Sequence, residues 1–289
     1  MIPHVPGVRL GAFYRNFSMN LFIDNEFTVE DCLKGLRLYS LLPDSGEILL
    51  DCERQGLPPK STALVFLGTA YKRRQGQRQE MQIKMARFPS GATIENFDFT
   101  NIGQSSAKLV EELLDCDWIR NHENLLFNGA PGLGKTHLSI ALGKRAVAQG
   151  YRTLFIEATD LFGDLRRWNK SGELEAKLKN LRQVKLLIID DIGFTIDSSP
   201  EDATLFYSLI HSRYGNSSTI ITSNRPLLEW LPAMSGDDTS MRAAIDRFIH
   251  RCHVIKLIGK SYRLQQFESR QGQRPDDSVK DIEGAVENQ

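Results

Sequence analysis

The chain has 289 residues, enough for one large or two modest domains, and its 36 Lys and Arg balance its 36 Asp and Glu. Net charge therefore supports neither a nucleic-acid nor a membrane partner, and local charge has to decide. No apolar run approaches the roughly twenty residues of a membrane helix, and the N-terminus lacks the charged-then-apolar order of a signal peptide. The scattered cysteines Cys32, Cys52, Cys116 and Cys252 form no Cys-x-x-Cys pair and read as reduced thiols. A cytoplasmic protein with no membrane partner is expected.

Residues 1–25 carry Pro3, Pro6, Gly7 and Gly11 and show no period. Thr28 as N-cap with Asp31 three residues on predicts a helix over 28–42 carrying Leu33, Leu36 and Leu38. Pro43, Gly46, Gly56, Pro58 and Pro59 then divide the chain into short pieces. Ala63 to Leu67 is an apolar element that could be helix or strand. From 72 to 87 the chain is basic: Lys72, Arg73, Arg74, Arg78, Lys84 and Arg87 stand against Glu80 alone. That segment is either a solvated helix between domains or a phosphate-contact surface for duplex DNA, with Arg73, Arg74 and Arg78 as its candidate contacts. Phe88-Pro89-Ser90-Gly91 reads as a linker, so an accessory domain is expected over 1–90.

Residues 91–264 follow an α/β rhythm. Ser105 opens an amphipathic helix running to Trp118, and Leu125 to Phe127 forms the first strand. Asn128 to Thr136 follows as Gly129-Ala130-Pro131-Gly132-Leu133-Gly134-Lys135-Thr136, a complete Gly-x-x-x-x-Gly-Lys-Thr phosphate loop. Its helix carries His137, Leu138, Ala141, Leu142, Ala146 and Val147, and Gly150 is its expected C-cap. Strand, glycine loop and helix together aim backbone N–H groups and a helix N-terminus at an anion. The glycines allow close approach to phosphates. Lys135 supplies charge to the β- and γ-phosphates, and the Thr136 hydroxyl is a ligand for Mg2+. Residues 129–137 are thus the expected contacts for ATP.

Thr153 to Ile156 is the second strand; helices follow, one capped by Thr159 and running to Trp168, the next over 173–181. Val184 to Ile189 is a continuous apolar run, as a strand buried on both faces requires. It ends in Asp190, placed to hold Mg2+, and Asp191, placed to orient and deprotonate a water; two turn acids are the plain alternative. Ser199-Pro200-Glu201-Asp202 is a strong helix start. Thr219 to Thr222 is another buried strand, followed by Asn224 at the carboxyl edge of a parallel sheet, where ligands bind. A helix near 240–250 and a strand over 254–257 complete the domain, and His250 and His253 read as structural. The Gln-, Asp- and Glu-rich stretch 265–289 is expected to be disordered.

Gly129 to Thr136, Leu187 to Asp191, Ser218 to Pro226 and Ser261-Tyr262-Arg263 resemble the corresponding motifs of the IstB-like ATPases, helpers of bacterial insertion sequences related to DnaC helicase loaders in the initiator clade of AAA+ proteins. The likeness spans residues 72–264; residues 1–60 match poorly. It implies a P-loop AAA+ fold, a parallel five-stranded sheet of order 5-1-4-3-2 flanked by helices, with a small helical N-terminal domain. It also implies homo-oligomerisation with ATP on DNA and cooperation with a transposase. By the same resemblance Asn224 takes the sensor position and Arg247 the arginine-finger position. The helices between 159 and 181 match an insert that lies along DNA in relatives, with Arg166, Arg167 and Lys170 as this chain's charges there. Two alternatives stay open: a DnaC-like loader of a replicative helicase, and a nucleotide-gated module without hydrolysis, since Asp191 stands where many AAA+ relatives have Glu.

Overall fold

The computed structural model describes residues 28–89, 91–193, 200–230 and 238–271. The chain divides into two compact units, 1–76 and 77–289, so the 88–91 linker lies within the second.

In the first unit, α1 (Val29–Gly35) starts in a capping box between Thr28 and Asp31. It ends earlier than the expected 42, because Arg37 takes a left-handed backbone conformation (φ 56) and the chain turns into a short 3₁₀ segment at Tyr39–Leu41. α2 (Ser45–Arg54) accommodates Gly46 in its first turn. α3 (Pro59–Met85) absorbs both the ambiguous apolar element and most of the basic segment into one 27-residue helix that contains the division at Gly76. Leu33, Leu41 and Ala70 form a small core with Leu38, Leu42, Ile48 and Phe66.

The second unit is a three-layer α/β structure. Its parallel sheet comprises β1 (Asn124–Asn128), β2 (Thr153–Glu157), β3 (Leu186–Asp190), β4 (Ser218–Ser223) and β5 (Cys252–Lys256), in the order β2-β3-β4-β1-β5. This is the expected 5-1-4-3-2 order. β3 and β4 are buried throughout because successive side chains enter opposite cores. Leu187, Ile189 and Ile221 point into a core built with Phe162, Phe206 and Phe248. Leu186, Ile188 and Ile220 point into the other, with Val110, Trp118 and Leu142.

The helix expected from Ser105 to Trp118 is broken. α4 (Gln104–Glu112) gives way to a 3₁₀ turn, Cys116 takes φ 61, and α5 (Asp117–Arg120) restarts the chain in a new direction. α6 (Lys135–Ala148) follows β1. α7 (Ala158–Lys170) begins at Glu157 as N-cap, so Thr159 lies inside the helix rather than capping it. α8 (Leu174–Arg182), α9 (Pro200–Arg213) and α10 (Asp238–Ile249) cover one face of the sheet. The expected cap Ser199 lies outside the described residues. α11 (Tyr262–Gln271) is helical where an irregular tail was expected from 265, and 272–289 lie outside the described residues, as do 1–27.

Arg213, at the end of α9, is buried and ties the amino ends of two strands together. It donates to Leu181 O and Val184 O before β3, and to Ser218 O and Thr219 Oγ1 in β4. Among the described residues no helix is long and apolar enough to cross a membrane.

Candidate active site

β1 delivers the chain to the loop 129–134, and α6 begins at Lys135. Gly132 (φ 80) and Gly134 (φ 87) hold left-handed backbone conformations. A Cβ on the first would fall 2.1 Å from Ser261 Oγ, and on the second 2.5 Å from the Phe97 ring, so neither position admits a side chain without movement. Lys135 is buried, and its ammonium donates to Gly129 O at 2.7 Å and Ala130 O at 3.0 Å, closing the loop on itself. Burial lowers its pKa, while Asp191 and Asp190 act in the opposite direction.

The β3–β4 pairing sets Ile189 beside Ile221, so Asp190 comes level with Thr222 on the neighbouring strand. The Thr222 hydroxyl donates to Asp190 Oδ1 at 2.6 Å and accepts from the Asp191 N–H at 2.8 Å. Thr136 Oγ1 donates to Asp190 Oδ2 at 2.9 Å. Asp190 is thereby bound on both oxygens. Its burial still raises the pKa, and the two hydroxyls only partly offset this. Asp191 takes a left-handed conformation (φ 56), which turns the chain sharply off the strand.

Lys135, Thr136, Asp190, Asp191, Thr222 and Asn224 line one cleft of about 760 Å³. Phe97 closes it on one side, with Lys260, Tyr262 and Arg263 on another. Asn224 Oδ1 is buried there without a hydrogen-bond partner among the described residues, as an acceptor awaiting a donor. Thr136 and Asp190 offer adjacent hard oxygens of the kind Mg2+ takes, leaving room for water and phosphate oxygens, so the residues fit that ion. The glycine cradle and Lys135 fit a triphosphate in the same way.

His137 lines the same cleft: its Nε2 bonds Thr93 O at 2.7 Å, and its ring meets Phe97 edge-on at 5.2 Å. It braces the cleft wall. Arg247 lines a separate cleft of about 250 Å³ with His122, Asn124 and Thr219, residues at the amino ends of β1 and β4. The phosphate loop follows the carboxyl end of β1, so Arg247 belongs to the opposite edge of the sheet. Arg73 is held in the first unit by Asp44 and by Ser40 O. Arg74 and Arg78 are exposed on α3. Arg166 clasps both oxygens of fully buried Asp202, at 2.8 and 3.1 Å, joining α7 to α9. Arg167 pairs with Asp164 at 2.6 Å yet stays largely exposed, and Lys170 is exposed on the same helix. His253 bonds Glu123 and His250 bonds Tyr214.

Sequence reasoning did not assign Thr222, Phe97, Lys260 or Arg263 to the cleft. For Thr222 a signal existed: a hydroxyl near the end of an apolar strand, at the same end as Asp190. Phe97 and Arg263 come from distant segments and had no local signal of position.

A family model described as IstB-like ATP binding protein matches residues 33–270. A Geobacillus stearothermophilus protein, named as an ATP-binding protein of insertion sequence IS5376, is 38% identical over 193 residues, covering 67% of this chain and 76% of its own. A Pseudomonas aeruginosa protein named likewise for IS21 is 33% identical over 238 residues, covering 82% and 89%. The solved structure of the replication initiator DnaA with AMPPCP and single-stranded DNA superposes with a TM-score of 0.51 at 20% identity, covering 64% of this chain and 56% of that one. That last likeness is one of fold.

Proposed function

The chain belongs to the IstB-like ATP binding proteins, and from that premise we propose that it hydrolyses ATP with Mg2+ as a homo-oligomer on duplex DNA and directs a transposase to its target. The observation that carries this reading is the convergence of Lys135, Thr136, Asp190, Asp191 and Asn224 on one cleft, while Arg247 sits at the far edge of the sheet. Lys135 exchanges two loop carbonyls for the β- and γ-phosphate oxygens. Thr136 and Asp190 would hold Mg2+, which would supply charge neutralisation to the transferring phosphoryl group. Asp191 orients and deprotonates the attacking water, and Asn224 bonds the water or the γ-phosphate. The charge developing on the γ-phosphoryl oxygens then needs a guanidinium that this chain's own Arg247 is not placed to supply. A neighbouring copy provides it. Arginine fingers contribute roughly 10³- to 10⁵-fold in known GTPases.

The relatives named for insertion sequences support transposition over helicase loading. For DNA, the exposed Arg74 and Arg78 on α3 and Arg167 and Lys170 on α7 are the contacts we favour over Arg73 and Arg166, which hold internal partners.

ATPase rate per subunit tests the oligomer: it should climb with protein concentration and with added duplex DNA. Arg247→Ala should bind ATP but hydrolyse it slowly, and mixing it with Lys135→Ala should restore activity, because some interfaces then join an intact loop to an intact Arg247. A mixture that forms mixed oligomers and stays inactive would remove Arg247 from the role, leaving Arg251, which lines the same cleft. ATP-dependent co-sedimentation of a transposase on duplex DNA tests the partner; capture of a replicative helicase instead would favour a loader.

A further inference from the structure

The guanidinium of Arg247 has a seat. Its Cζ lies 5.0 Å from the centroid of the Tyr207 ring, on α9, and its Nη1 donates to Ala243 O, one turn back on α10, at 3.0 Å. Tyr207 is itself held: its ring stacks on His211, one turn along α9, with centroids 5.6 Å apart and planes 15° from parallel. The backbone beneath Arg247 is fixed as well, because Phe248 is buried and its carbonyl accepts from Asn124 Nδ2 at 2.9 Å.

We propose that Tyr207 is a positioning residue for Arg247, an aromatic platform that holds the guanidinium in place for the neighbouring copy's nucleotide. This rests on the reading that Arg247 acts in trans. An arginine on a helix surface samples many rotamers, and the freedom it loses on forming the reactive interface subtracts from the rate. A ring face attracts the cation through its quadrupole and leaves the edge of the planar guanidinium, with its N–H donors, free to reach an incoming phosphate. Ala243 O is a weaker hold, which phosphate oxygens replace. Tyr207 lies on the α9–α10 side of the sheet and does not line the nucleotide cleft, so it should leave ATP binding unchanged.

The test is ATP turnover by three variants in the full chain with duplex DNA. Tyr207→Leu fills much of the space but has no ring face; it should lower kcat about fivefold, the size of a partly exposed cation–π contact, at unchanged KM for ATP. Tyr207→Phe keeps the face and should retain the wild-type rate. Mixing Tyr207→Leu with Lys135→Ala should recover rate, since the second subunit donates an arginine on an intact platform. A wild-type kcat for Tyr207→Leu, with Arg247→Ala slow in the same assay, would overturn the proposal and leave the trans mechanism standing. So would equal losses in Leu and Phe, which would mark the hydroxyl or the packing as the cause. A wild-type rate for Arg247→Ala would overturn both.

Discussion

At the scale of single residues, the cleft concentrates charge where burial opposes it. Lys135→Ala removes the ammonium and should reduce ATP affinity at least ~100-fold, about 3 kcal/mol, while circular dichroism stays unchanged. Near-normal affinity in a folded variant would contradict the assignment. Asp190 should behave differently. Burial raises its pKa, so the folded chain holds the proton more tightly than the unfolded chain. Its ionisation therefore subtracts stability as pH rises from the ordinary carboxylate range through the raised value. Asp190→Asn keeps an acceptor for Thr222 and discards the buried charge. The nucleotide-free variant should melt a few degrees higher at neutral pH, as roughly 1 kcal/mol would give in a domain of this size. It should also lose the Mg2+-dependent part of its ATP affinity. A lower melting temperature at pH 7 would show that the ionised carboxylate is a net structural asset instead.

At the scale of elements, Arg166 shows how a surface-looking charge can be internal. Its guanidinium is about one-third exposed, yet it grips a carboxylate with no exposure at all, on the neighbouring helix. Arg166→Ala should cost roughly 3 kcal/mol, at the low end for breaking a buried pair, and the thermal midpoint should fall accordingly. A loss of DNA binding in that variant would therefore have to be separated from loss of fold, whereas Arg167→Ala or Lys170→Ala should leave the melting temperature within a degree or two. The same contrast marks what could be read from sequence. All five strands were legible, because β3 is apolar up to its final Asp190, β4 puts Ile220 and Ile221 on opposite faces, and glycine or acid residues bound β1 and β2. β5, however, runs over Cys252–Lys256 and not the expected 254–257. That the phosphate loop, Asp190, Asp191 and Asn224 meet at one end of the sheet was legible from spacing. Cys116 was not: a left-handed non-glycine residue leaves no compositional trace, and with the 3₁₀ turn before it this residue redirects the chain between α4 and α5. Nor was α3, since Gly68 and Gly76 interrupt its pattern and most of its side chains are exposed, leaving no apolar period to detect. The pairing of Arg73 with Asp44 and of Arg166 with Asp202 is tertiary, and sequence spacing says nothing about it.

At the scale of the whole molecule, balanced net charge means that the proposed DNA binding has to come from local clusters, and salt dependence would read them directly. Neutralising Arg74 and Arg78 together should weaken binding to every duplex sequence alike and flatten the log–log salt slope by about 1.8, at about 0.9 per lost phosphate contact. An unchanged slope would assign α3 to solvent and turn attention to Arg167 and Lys170. One buried side chain also constrains how such a molecule can be rebuilt. The Arg213 donors are shared among the end of α8, the lead-in to β3 and the start of β4. The helical pair α7–α8 looks like an insertion that could be exchanged or deleted at will. It is not a detachable module, because removing it takes away the Leu181 carbonyl and leaves a buried guanidinium short of a partner at the amino edge of the sheet. Any lineage or engineer that trims this insert must change residue 213 in the same step, so the length of one segment and the identity of a residue some thirty positions later should be inherited together.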